Sequence, residues 1–186
     1  MEKKLTKPLK MVLLLISSLI IATVSAATYT SLTMKSQITI SSVVRFVNGD
    51  DTPSTATVHP TYCSLPLTCY PNATTTYEQA INISNTDQTN PYRISLRHVS
   101  VSTPDNSAGN FTSITFYLVA ENGTTLDSIT YTPSGGTLNP SKSSTDYKNI
   151  PANTMWTIKV EVITSTNAST SATCTIEMAL DVQEAQ

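Results

Sequence analysis

The side chains able to do chemistry are few and scattered. The 186-residue chain has two histidines, His59 and His98, and three cysteines, Cys63, Cys69 and Cys174. His59 precedes Pro60 in a turn-rich stretch and His98 interrupts an alternating run, so each reads as structural or solvated rather than as a base. A zinc site needs about four ligands, and around Cys63 and Cys69 only His59 offers a third. Asp50, Asp51, Asp105 and Asp127 fall in turn-like contexts, where Asp caps backbone groups. Asp50-Asp51 alone does not supply the clustered oxygens of a calcium loop. There is no HExxH, no GxSxG and no glycine loop able to cradle phosphate. The chain therefore reads as a non-enzyme without metal or cofactor.

Cys63 and Cys69 bracket Ser-Leu-Pro-Leu-Thr, a spacing that closes a small loop if the protein is exported and the thiols oxidise. Cys174 leaves pairing with either of them open. Export itself is legible at the front of the chain. Lys3, Lys4, Lys7 and Lys10 form a basic n-region, Met11 to Ile21 is apolar, and Val24-Ser25-Ala26 supplies the small residues of a cleavage site. Met11 to Ala27 is short of the ~20 apolar residues that span a bilayer. Residues 1–26 are thus expected to be a signal peptide and the mature protein secreted, meeting a membrane only during export. Without the four Lys and one Glu of that leader the chain keeps 7 basic and 12 acidic residues, a formal charge of −5. Nucleic acid is not the expected partner, since it calls for a basic face.

The elements behind these residues are strands. Thr28 to Val47 (TYTSLTMKSQITISSVVRFV) places Leu32, Met34, Ile38, Ile40, Val44 and Phe46 at even positions, the period of a half-buried strand. Extended, about 20 residues reach roughly 65 Å at ~3.3 Å each. A domain of about 160 residues is only on the order of 40 Å across. Either part of this ribbon leaves its own domain, or it bends near Ser41 and Ser42 into two ordinary strands. Residues 27–47 are therefore expected to hold a donor strand and the first strand of the fold.

In residues 48–186, Asn48-Gly49-Asp50-Asp51 signals a turn, and Thr52 to Asn72 follows as a Pro- and Cys-containing connection. Strands are expected at Tyr77–Ser84, Tyr92–Val101 with a bulge near His98, Thr112–Ala120 and Leu126–Thr132. Asn122-Gly123 reads as a two-residue hairpin turn. A loop carrying Pro133, Gly135, Gly136 and Pro140 leads to a weak strand near Tyr147. Trp156 to Val162 and Cys174 to Val182 alternate inward. No segment after the leader keeps a helical period. The fold class expected is all-β, a jelly-roll-like β-sandwich of about seven or eight strands. The N-x-S/T acceptors for glycans are Asn72, Asn82, Asn110, Asn122 and Asn167.

An apolar ribbon outside its own domain needs cover. A groove in the next copy provides it by strand addition, with Leu32, Met34, Ile38 and Ile40 as the buried donor residues. Such a contact joins two different surfaces, so it grows an open head-to-tail filament. The runs ATYTSLTMKSQITI, AINISNTDQTNPYRISL, NIPANTMWTIKVEV and ATCTIEMALDVQEAQ resemble the TasA/camelysin-like matrix fibre proteins, in particular the archaeal bundling pilins. The resemblance implies jelly-roll subunits joined by donor-strand exchange into extracellular fibres that bundle into biofilm matrix. It implies a homopolymer, with other cells' fibres or the matrix as further contacts. The cysteine pair and the many acceptor Asn residues depart from the bacterial members and suit a glycosylated archaeal pilus. Camelysin has been called a protease, and no metal-binding motif supports that role here. Two other readings compete. In a type IV-like pilin, residues 11 to 27 would persist as the start of a core helix, which would have to run on into strand-like Thr28 to Ser36. In a monomeric sugar-binding module, Tyr62, Tyr70, Tyr77 and Trp156 would stack on the ligand, although Trp156 is in phase with core positions.

Overall fold

A computed structural model describes residues 43–68, 70–103, 108–169 and 173–185. They belong to one unit that begins at Ser41. The leader, the donor residues Leu32, Met34, Ile38 and Ile40, and Cys69 lie outside the described residues.

The chain forms β1 (Val44–Asn48), β2 (Thr57–Val58), β3 (Tyr62–Thr68), β4 (Thr74–Asn85), β5 (Tyr92–Ser102), β6 (Phe111–Val119), β7 (Thr125–Ser134), β8 (Thr137–Lys142), β9 (Lys148–Ile150), β10 (Thr154–Thr164) and β11 (Thr173–Glu184). One sheet has the order β1-β4-β10-β6-β7-β8 and the other β2-β3-β11-β5-β9. Every pairing is antiparallel. Without the marginal β1, β2 and β8, the layers β3-β11-β5-β9 and β4-β10-β6-β7 carry the strand order of an eight-stranded jelly roll. In that roll β9 holds the place of an entire strand and supplies three residues.

The core follows from alternation. Trp156, Ile158, Val160 and Val162 of β10, with Ile114, Phe116 and Leu118 of β6, face Leu65 and Leu67 of β3 and Ile176 and Met178 of β11, all buried. In β1, Val44 and Phe46 point inward and Arg45 outward, as the even-position pattern requires. The bulge expected near His98 is at Val99: Ser100 pairs with Glu177 and His98 with Met178, so Val99 is left over and stands 47% exposed.

Three local readings change. In the Asn122-Gly123 turn, Gly123 but not Asn122 takes a positive φ, 81°. Its N–H donates to the Ala120 carbonyl and the Ala120 N–H to the Thr124 carbonyl, which makes a three-residue hairpin loop instead of two. The expected loop around Gly135 and Gly136 is a hairpin. Both glycines have positive φ, 60° and 82°, and pair Ser134 with Thr137 across a tight turn. The Pro- and Cys-containing connection holds β3, whose Cys63, Leu65 and Leu67 face the core. The expected Cys63–Cys69 bridge is not seen: Cys63 is a buried free thiol of β3 and Ser64–Thr68 run extended after it, while Cys69 lies outside the described residues. Burial pushes the Cys63 thiol up to about 12, which keeps it protonated. Cys174 sits opposite Leu67 while Cys63 sits opposite Met178. That offset of four residues is roughly 13 Å along the strand, too far for a bridge between those two.

At one end, called here the entry end, the turn after β4 gathers the start of the described chain. The Thr86 N–H donates to the Val43 carbonyl, and the Asn153 N–H to the Asp87 carbonyl. Buried Asn85 donates through Nδ2 to the carbonyls of Asn90 and Pro151. The backbone N–H of Thr89, then the side chain and N–H of Asn90, hold the Asp87 carboxyl far below the usual carboxylate range. The residues of AINISNTDQTNPYRISL and NIPANTMWTIKVEV thus build one knot. At the opposite end, Asn72 N–H donates to the Ser165 carbonyl and Ser165 N–H to the Asn110 carbonyl.

After β1 the chain presses on β4. A Cβ at Gly49 would stand 1.9 Å from the Gln79 carbonyl oxygen, and Asp51 and Thr52 bond the backbone of Gln79 and Ala80 on either side. Gly49→Ala is therefore expected to lower the unfolding free energy by about 1–3 kcal/mol, the cost of overpacking. Urea denaturation of the two proteins measures it.

Candidate functional site

β5 is partnered unequally. Along one side β11 pairs with it from Tyr92 to Ser102, while along the other β9 meets only Tyr92, Arg93 and Ile94. Of its eleven residues three are covered, which leaves the eight from Ser95 to Ser102 without a strand on that edge among the described residues. The cause is local. The Ser- and Thr-rich run after β8 crosses between the sheets and first pairs with β5 at Lys148, opposite Ile94, so the residues that would have met Ser95 and beyond are spent on the crossing. Opposite lies β8, the margin of the other sheet, whose Pro140 has no N–H to offer. Between them is a cleft of about 400 Å³ lined by Leu96, His98, Ile129, Pro140, Lys142 and Tyr147, among others.

The cleft has an apolar floor and a charged tie. Leu96 and Ile129 are buried beneath it. Tyr147 forms a wall, with the Arg93 guanidinium 5.7 Å from its ring centre. Lys142 donates through Nζ to Ser95 Oγ at 2.6 Å and lies 3.4 Å from Asp127 Oδ2, joining β8 of one sheet to β5 of the other. The Asp127 side chain is only 2% exposed, and its Oδ1 accepts from Ser143 Oγ and the Ser128 N–H. Further along β5, His98 Nδ1 is 3.1 Å from the hydroxyl of fully buried Tyr131. Burial lowers the His98 pKa and raises that of Tyr131, so a neutral imidazole and a phenol share this bond. On the outer face, Arg97 pairs with Asp181 at 3.2 Å in the open, a contact of little energetic weight.

This arrangement can receive an extended chain. A strand laid along Ser95–Ser102 would complete the place that β9 leaves short, and alternate side chains would enter the cleft. Among the described residues no three His, Cys, Asp or Glu side chains gather where a metal ion could be held.

The other expected site residues are dispersed. Asn72, Asn122 and Asn167 are exposed in turns, and half-buried Asn110 accepts through Oδ1 from the Ser169 N–H. Asn72, Asn110 and Asn167 surround the end opposite the entry end, whereas Asn122 is on the β6–β7 hairpin. Asn82, expected to face solvent as an acceptor, is 7% exposed in β4 and its Oδ1 accepts from Thr157 Oγ1. A glycan there would have to break that packing. Tyr62 and Tyr70 are exposed, with His59 stacked on Tyr62, but Trp156 is in the core, so these aromatics do not converge on one surface. Asp127, read from sequence as a turn residue, is buried in β7. Its link to Lys142, like that of His98 to Tyr131, carries no sequence motif. It could have been found only through the β7–β8 register.

The chain matches no protein-family model and no curated protein sequence.

Proposed function

We propose that this protein is a secreted structural subunit of an extracellular filament, polymerising head-to-tail as the N-terminal strand of one copy enters the cleft of the next. The observation that carries the reading is the open edge of β5, eight residues long, where jelly-roll order calls for a whole strand. Leu32 to Ile40, with its alternating apolar face, has nearly that length.

The resemblance to TasA/camelysin-like fibre proteins and archaeal bundling pilins supports the same reading. Glycans at Asn72, Asn110, Asn122 and Asn167 fit an extracellular coat, and no catalysis belongs to this function.

Hydrogen exchange on assembled fibres and on monomer tests it. Amides along Ser95–Ser102 should become strongly protected on assembly. Equal exchange in both states would sink the cleft as acceptor.

A further inference from the structure

On the β5 side of the cleft, among the described residues, the ring of His98 brings a nitrogen without a commitment. Ser95 Oγ is taken by Lys142, Arg97 by Asp181, and Ser100 Oγ donates to Glu177 at 2.6 Å. His98 spends Nδ1 on Tyr131, and its second ring nitrogen has no partner among the described residues, although the ring lines the cleft. The incoming strand has a matching oddity. Its inward face reads Leu32, Met34, Ser36, Ile38, Ile40, with a single hydroxyl among apolar groups.

The lengths place these two together. Ser36 is the midpoint of Leu32–Ile40, and the midpoint of the open edge Ser95–Ser102 falls between His98 and Val99. Because both are midpoints, the match holds whether the strand runs parallel or antiparallel to β5. Resting on the filament reading, we propose that Ser36 of a neighbouring copy pairs with His98 and thereby fixes the register of the inserted strand. A hydroxyl both donates and accepts, so it suits either tautomer of the ring. Slipping by one residue would turn the apolar face to water. Slipping by two would set Met34 or Ile38 against His98 and leave a ring nitrogen and a hydroxyl buried without partners.

The test uses the mature chain and two readouts, the critical concentration for fibre formation and the axial subunit repeat seen by electron microscopy. Ser36→Ala should raise the critical concentration about fivefold to tenfold, and Ser36→Thr should stay near wild type. Moving the hydroxyl two positions, in the double variant Ser36→Ile with Ile38→Ser, should change the repeat by about 7 Å, two residues of strand rise. A Ser36→Ala value within twofold of wild type, a Ser36→Thr value as poor as Ser36→Ala, or a double variant that keeps the wild-type repeat or forms no fibres would each overturn the pairing. The filament reading stands or falls separately, on protection of the β5 edge in wild-type fibres.

Discussion

Deleting Thr28 to Thr39 should leave a sandwich that folds and does not polymerise. Inserted in a neighbour, Leu32, Met34, Ile38 and Ile40 each contribute about 1.5–3 kcal/mol by burial, or roughly 6–12 kcal/mol together. Removing even the lower figure should raise the critical concentration by at least about 10⁴-fold, which places assembly beyond any practical concentration. The truncated protein keeps β1, with Val44 and Phe46 in the core, so its unfolding midpoint in urea should remain close to that of the wild-type monomer. Its cleft stays open, and with Val99 47% exposed beside it, reduced solubility is expected too. Sedimentation and electron microscopy read the outcome. Fibres of unchanged repeat from the truncated chain would remove the donor role from this segment.

Lys142→Ala should be the most destabilising single surface-side substitution near the cleft. It strips the cation from the nearly inaccessible Asp127 carboxylate and takes the donor from Ser95 Oγ, itself 7% exposed by residue. Breaking one partner of a buried pair costs about 3–5 kcal/mol. The Lys142 side chain is 22% exposed, and Asp127 keeps Ser143 and Ser128, so about 2–4 kcal/mol is expected here. Replacing both members, Lys142→Met with Asp127→Leu, should recover much of that loss, because the orphaned charge is then gone. Denaturant titration of the two variants decides it. A loss below about 0.5 kcal/mol for Lys142→Ala would mean that solvent already screens the pair and that it does not tie the sheets.

The strands most readily read from the residues were those with long alternation and β-branched or aromatic inward positions. β4, β5, β6, β10 and β11 match their expected spans within a few residues, and the bulge of β5 was visible as a change of phase. β3 was masked by its own composition. Pro66 argues against a strand in general, yet β2 covers only Ser64 and Cys63 on that side, so the missing N–H falls on an open edge. β8 carries a single inward apolar residue, Leu138, too little for a periodicity, and only its Gly135-Gly136 turn marked it. The cleft is a different kind of fact. It arises from strand order, from a three-residue β9 and from partners such as Asp127 and Lys142 that meet only after the hairpin sets its register. No local window of sequence contains that.

The described chain begins at the entry end, while the open stretch of β5 runs away from β9 toward the opposite end. A filament made this way has two unlike tips. One terminates in a vacant berth and the other in an unlodged ribbon. Elongation and arrest at the two extremities are then chemically separate events: a short synthetic ribbon would cap only the first, and an isolated ribbonless sandwich only the second.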